Sequence, residues 1–247
     1  MAGHSHWANI SRHKGVQDAK RAKLWSKLAR YIMIAARNGG GDPTMNLRLR
    51  YAIDKARSVS MPKDNIERAV KKGTGELAGE TMEEITYEGY GPGGVAILVE
   101  TLTDKRTRTN GDVRLLFEKN GGNLGTPGCV SYLFERKGLI LIDTKKYPDE
   151  DAVMTAAIEA EADDCQNQGE VYEITCDASK FTAVVDAIKA AGFEPEEAEV
   201  KQLPKTMADV DVETGKKVLK LIDALEDNDD VQSVHTNANI TEEMTRA

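Results

Sequence analysis

The chain has 247 residues and a formal net charge of −8, with 40% hydrophobic, 30% charged and 5% aromatic residues. These proportions argue against a disordered chain, and no run approaches the roughly 20 apolar residues a membrane-spanning helix needs. They leave a globular protein of one to three domains whose cores are mainly Leu, Ile, Val and Ala. Cys129, Cys165 and Cys176 form no C-x-x-C pair, which points to reduced thiols in a cytoplasmic protein rather than a disulfide framework or a zinc finger.

The net charge hides an asymmetry. Residues 1–75 carry 16 Lys and Arg against 5 Asp and Glu, a net +11, while the rest of the chain carries 17 against 36, a net −19. A +11 segment of this length is an electrostatic footprint for a phosphate polymer. The stretch "AGHSHWANISRHKG" has no apolar period and no apolar signal core, and reads as a tail of the mature protein that orders on a partner. His4, His6, His13 and Trp7 offer faces for stacking on unpaired bases, and Arg12 and Lys14 offer charge to phosphates. A processed Ala-Gly-His terminus would also chelate Cu(II) or Ni(II) in a test tube, but no metal or cofactor is expected.

Residues 18–37 are expected to form a helix. Trp25, Leu28, Ala29, Ile32 and Ala36 share one face, and Lys20, Lys23, Lys27, Arg30 and Arg37 share the other. With Arg21, this stripe continues the positive surface of the tail, so the expected nucleic-acid contacts are His4, His6, Trp7, Arg12, His13, Lys14, Lys20, Arg21, Lys23, Lys27 and Arg30. "NGGGDP" ends the helix. A second helix is expected from about Asn46 to Val59, and a third in "SMPKDNIERAVKKG", with Pro62 near its first turn and Gly73 at its stop. Together the three make a small bundle.

Beyond "GTGELAGE" the pattern becomes mixed. "ITYEGY" and "VAILVETLT" read as strands around a Gly-Pro turn, followed by a helix in "TNGDVRLLFEKNG" and strands in "CVSYLFE" and "GLILID". "DEDAVMTAAIEAEA" is helical, "EVYEITC" a strand, "SKFTAVVDAIKAAG" helical and "EEAEVKQL" a strand. The chain closes with the helix "GKKVLKLIDALED" and the strand "VQSVHTN". The expected fold is α+β: an N-terminal helical bundle (1–77) and two small α/β, ferredoxin-like domains, one (137–203, read as β-α-β-α-β) inserted in the other (78–136 plus 204–247).

The motifs argue against catalysis. "GYGPGG" matches G-x-G-x-x-G at Gly89, Gly91 and Gly94, but a strand pattern follows where a dinucleotide site needs a helix, and Pro92 interrupts the loop, so the stretch is expected to be a hairpin turn. No P-loop, H-E-x-x-H or G-x-S-x-G occurs, and His235 stands alone in an expected strand. No enzyme activity and no small-molecule substrate are expected. The acidic runs "EAEADD", "EPEEAE" and "EDNDD" read as solvated faces, or as surfaces that meet a basic partner.

"AGHSHWANI…QDAKRAK", "AARNGGGDP", "LRYAIDKA", "YEGYGPGGVAILVE", "TDKRTRT" and "GGNLGTPGCVSYLFERKG" resemble the YebC family over most of the chain. The resemblance implies a helical N-terminal domain and two α/β domains, the third inserted into the second. It also implies a role in gene expression. Bacterial members are described as probable transcriptional regulators that bind DNA. Others, including a mitochondrial translational activator of cytochrome oxidase, act at the ribosome, and some bacterial relatives help translation through proline runs. His4, Trp7, Asn9, Lys14, Asp18, Lys20 and Arg21 fall on the family's N-terminal signature. His6 departs from its usual Lys, and Pro127 and Cys129 depart from the commoner "GTDGSV". The expected partner is therefore nucleic acid, either DNA or ribosomal RNA on the ribosome, with no membrane involved.

Overall fold

Glycine, asparagine and proline interrupt the apolar period of the first 75 residues and so set the helix ends. The structure is a computed structural model and describes residues 21–78 and 82–245. Helix α1 (Arg21–Gly39) buries Leu28, Ile32, Ala35 and Ala36 along one face. It stops where Gly40, at φ 85°, donates its N–H to Ala36 O. Asn46 then starts α2 (Leu47–Ser58): its Oδ1 accepts from Leu49 N at 3.1 Å, and its Nδ2 donates to Ala35 O and Gly40 O at 2.8 Å each. One buried amide thus caps α2 and ties it to the end of α1. Helix α3 (Lys63–Gly73) follows Pro62 and adds Ile66 and Ala69 to the core. Trp25 Nε1 donates to Val59 O at 3.2 Å, and Gly73 lies against Met33 and Ala36, so α2 runs antiparallel to α1 and α3 runs alongside it in the same direction.

The first sheet has the order β3-β1-β2-β8, with β1 (Glu83–Tyr90), β2 (Ala96–Thr103), β3 (Asn123–Leu124) and β8 (Val231–Thr236), every pair antiparallel. Gly93 and Gly94, at φ 75° and 74°, turn β1 into β2, so "GYGPGG" is the hairpin its sequence suggests. Ile97 and Val99 face a core shared with α4 (Arg106–Lys119) and α7 (Val212–Glu226), while Ala96 and Leu98 pack on Val130 and Phe134. Burial on both faces explains why "VAILVETLT" reads as a nearly continuous apolar run. A short α8 (Glu242–Thr245) covers α7, where Met244 fills the space a side chain at Gly215 would need.

The second sheet, in the order β5-β6-β4-β7, is built between β3 and α7 in sequence. It comprises β4 (Phe134–Asp143), β5 (Asp164–Asn167), β6 (Val171–Asp177) and β7 (Glu197–Pro204), with α5 (Glu150–Glu159) and α6 (Phe181–Ala190) on one face. Ile140, Ile142, Tyr172 and Ile174 point to those helices; Leu139, Leu141, Val171 and Leu203 form the layer beneath. Two expectations need correction. Residues 137–203 contain an additional strand, β5, so the pattern is β-α-β-β-α-β. "CVSYLFE" is not a strand of its own: Ser131–Leu133 make a short 3-10 turn, and β4 runs unbroken from Phe134 through "GLILID". Glu88 holds that turn by accepting N–H bonds from Gly128, Val130 and Ser131 at 2.7–2.8 Å, which withdraws the backbone from strand pairing. Burial raises the Glu88 pKa, but the three backbone donors outweigh it and leave it below the usual value.

Candidate nucleic-acid interface

Lys23, Lys27, Arg30 and Arg37 stand at i, i+4, i+7 and i+14 on α1, which puts them on one face. That face meets the end of α7 and the strand edges of the first sheet. Lys23 Nζ donates to Asp227 O and lies 3.5 Å from Asp227 Oδ1 and 3.7 Å from Asp229 Oδ1. Lys27 Nζ donates to Glu226 O at 2.7 Å. Arg30 donates to Asp229 O and, at 3.0 Å, to Asp230 Oδ1. Arg37 donates to Met82 O at 3.1 Å. The carbonyls at a helix C-terminus lack intrahelical partners and carry the negative end of its dipole, so cations are well placed there. Burial pulls the Lys27 pKa down to about 8, assisted by Lys23 and opposed by Glu226, Asp229 and Asp227.

Asp230 is the centre of this contact, with a side chain only 5% exposed. Besides Arg30 it accepts from Arg108 Nη2 at 2.8 Å, Thr109 Oγ1 at 2.7 Å and Thr103 Oγ1 at 3.2 Å. Burial favours its neutral form, but the bonds from Arg108 and Thr109 and the charges of Arg108 and Arg30 outweigh it, leaving the carboxyl below the ordinary range. Asp230, Thr103, Arg108 and Thr109 were not singled out as candidates from the sequence. The only signal was the polar run "TDKRTRT", whose threonines are poor helix formers at the start of a helix.

Helix α2 directs Arg48, Tyr51 and Lys55 to the sheets and leaves Arg50, Asp54 and Arg57 exposed. Arg48 pairs with Glu84 and lies over the Tyr31 ring at 5.1 Å. Tyr51 donates to Thr182 Oγ1 and packs its ring 5.2 Å from Phe181, and Lys55 pairs with Glu199 on β7. The bundle therefore docks on both sheets, through α1 and Arg48 of α2 on the first, and through Tyr51 and Lys55 of α2 on the second and its helix α6.

Of the residues expected to contact nucleic acid, Lys23, Lys27 and Arg30 are brought together, and their charges are met within the chain. Arg21 opens α1. His4, His6, Trp7, Arg12, His13, Lys14 and Lys20 lie outside the described residues. Among the described residues, helix α3 makes no ion pair with either sheet. Its outer ridge of Lys63, Asp64, Glu67, Arg68, Lys71 and Lys72 is exposed. Lys63 lies 3.5 Å from Glu67, whereas Arg68, Lys71 and Lys72 form no ion pair with any described residue.

His235 has Glu100 Oε2 at 3.3 Å and Ser233 Oγ at 3.2 Å, both on Nε2, and Ser233 donates to the same carboxylate at 2.6 Å. A nucleophile–base–orienter relay needs the hydroxyl and the carboxylate on opposite ring nitrogens, so this cluster is not one. Burial alone would raise the Glu100 pKa, yet His235 and Ser233 bring it down to about 2. Among the described residues no three His, Cys, Asp or Glu side chains gather as metal ligands, and no helix is long and apolar enough to cross a membrane.

A cationic three-helix bundle docked on two small antiparallel sheets, each backed by helices, defines an α+β protein with a separate charged N-terminal module. Residues 5–76 match the model of the TACO1/YebC protein N-terminal domain, and residues 82–238 that of the TACO1/YebC second and third domain. The chain belongs to the TACO1/YebC family. It is 52% identical over 244 residues to a probable transcriptional regulatory protein of Treponema pallidum (strain Nichols), covering 99% of each chain. It is also 52% identical over 247 residues to one from Geobacter sulfurreducens, covering 100% of this chain and 99% of the relative. The crystal structure of a conserved hypothetical protein, Aq1575, from Aquifex aeolicus is similar to it with a TM-score of 0.83 and 48% identity, over 91% of this chain and 93% of that one.

Proposed function

We propose that the protein is a non-enzymatic regulator of gene expression in the cytoplasm that binds duplex DNA through its N-terminal bundle and the segment ahead of it. The observation that carries this reading is the charge division: +11 over residues 1–75 against −19 over the rest, with cations left over on α3 after α1 and α2 have met the sheets. The names of the relatives support the regulatory role. His4, His6, Trp7, Arg12, His13, Lys14, Lys20 and Arg21 are the proposed contacts ahead of and at the start of α1. Contacts of this kind bind phosphates, so affinity should depend steeply on salt and weakly on sequence.

The test is fluorescence anisotropy of a labelled 20-base-pair duplex titrated with the full chain at several salt concentrations, paired with co-sedimentation with ribosomes. A linear fall of log affinity with log salt, at a slope of several units, supports the reading. Absence of duplex binding at low salt, with ribosome pelleting that persists at physiological salt, would replace it with a translation role in which ribosomal RNA is the partner.

A further inference from the structure

Three observations single out the outer ridge of α3. First, α1 and α2 spend their facing cations on the sheets. Lys23, Lys27, Arg30, Arg37, Arg48 and Lys55 each have a carbonyl or carboxylate from residues 82–230. Second, α3 packs principally against α1 and α2, and its ridge is exposed rather than covered by the acidic sheets. Third, Arg68, Lys71 and Lys72 lie within one turn of each other. Asp64 and Glu67 stand one turn before Arg68 and Lys71, but neither closes an ion pair with them, so the C-terminal part of the ridge is a net cationic surface. Cations in a last helical turn complement the helix dipole, which accounts for Lys71 and Lys72. Arg68 lies mid-helix, one turn after Asp64, and closes no ion pair with it.

We infer that Arg68, Lys71 and Lys72 on α3 are the phosphate-contacting face of the bundle for a nucleic-acid duplex. The inference rests on the nucleic-acid reading above and sharpens it. Arg68 to Lys72 spans about 6 Å at the 1.5 Å rise of a helix. That is about two phosphate spacings of 3.4 Å, enough for three phosphates of one strand. The ridge begins at the end of the bundle where α1 starts, because Val59 meets Trp25, so a duplex lying on it passes the first turn of α1. No base-reading group accompanies the three cations, so the ridge supplies affinity and register while specificity must come from elsewhere.

The experiment compares the full chain with two variants of equal charge change. One is Arg68→Gln/Lys71→Gln/Lys72→Gln; the other is Lys119→Gln/Lys216→Gln/Lys220→Gln, exposed positions on α4 and α7. Duplex anisotropy across salt should show the α3 variant losing at least tenfold in affinity at moderate salt. Its salt slope should fall by about 2.7, at roughly 0.9 per phosphate contact. The control variant should stay within about twofold. Parental affinity and slope in the α3 variant, with binding intact in the parent, overturn the inference alone. Absence of binding in the parent overturns the function reading first. Amine acetylation of the unaltered chain, read by mass spectrometry, is independent of how the variants fold: duplex should shield Lys71 and Lys72 several-fold and leave Lys216 and Lys220 unchanged. Equal reactivity with and without duplex counts against the ridge.

Discussion

Replacing Asp230 by Ala should loosen the helical bundle from the first sheet. The side chain accepts four hydrogen bonds, from Arg108 at 2.8 Å, Thr109 at 2.7 Å, Arg30 at 3.0 Å and Thr103 at 3.2 Å. Removing the carboxylate leaves the buried Thr103 hydroxyl short of an acceptor, while Thr109 keeps Thr103 Oγ1 at 2.7 Å, and it sets two guanidinium groups side by side without their shared counter-ion. A hydrogen bond to a charged group contributes about 1.5–3 kcal/mol, and such terms do not add fully within one network. The expected loss is therefore about 3 kcal/mol, or roughly 6–12 °C in melting temperature for a chain of this size. Urea denaturation followed by circular dichroism would measure it. Asp230→Asn should fall between Ala and the parent, since one carbonyl acceptor remains. Adding Arg30→Gln to Asp230→Ala should cost less than the sum of the two single changes, because the second removes a charge the first has stranded. Acid should reproduce the effect. The folded-state pKa of Asp230 lies below its unfolded value, so its stabilisation is full above about pH 4 and is lost as pH falls through the folded pKa. The Asn variant should show a flatter acid limb. A loss below about 0.5 kcal/mol, or strict additivity with Arg30→Gln, would refute the claim that Asp230 joins bundle and sheet.

Two further changes probe separate parts of the chain. Gly111 sits inside α4 with open space around the position of a Cβ, so Gly111→Ala should stabilise by about 1 kcal/mol through helix propensity. A melting temperature at or below the parent's would show that this helix needs the glycine for contact with something else. Burial, with nearby carboxylates, pushes the thiols of Cys165 and Cys176 up to about 11, so at pH 8 both should alkylate at least tenfold more slowly in the folded chain than in urea. Equal rates would mean that the second sheet opens readily.

Helices and central strands were legible because burial leaves a period in the sequence. Leu28, Ile32 and Ala36 mark α1, and the run "VAILVETLT" marks a strand covered on both faces. β5 was not legible. Its residues "DCQN" are polar, they pair only with β6 at the sheet edge, and three of the four are exposed, so no alternation marks them. The turn "CVSYLF" misled for the opposite reason. Its apolar residues look like a strand, but Val130 and Phe134 are buried across a bend that Glu88 fixes from 40 or more residues away. At the interface, the sequence showed the basic stripe of α1 but not its occupant. A row of Lys and Arg at helical spacing suits a carboxylate-rich turn as well as a phosphate backbone. Only the fold brings "EDNDD", some 200 residues later, against it.

That pairing also explains how a chain with net charge −8 keeps a cationic module available. Free carboxylates at −19 would repel any polyanion approaching the bundle. Glu84, Glu199, Asp227, Asp229 and Asp230 instead serve as counter-ions for α1 and α2, which uses up acid on the sheet side and leaves Arg68, Lys71 and Lys72 facing outward. On the proposed function, the remaining acid on the sheets would keep a duplex off their surface and electrostatics would orient the protein before any specific contact forms. Because several of the bridging pairs are partly exposed, high salt should weaken the docking and the proposed duplex contact together. Affinity should therefore fall with salt along a single line for as long as the bundle stays docked, and depart from it where the bundle is released.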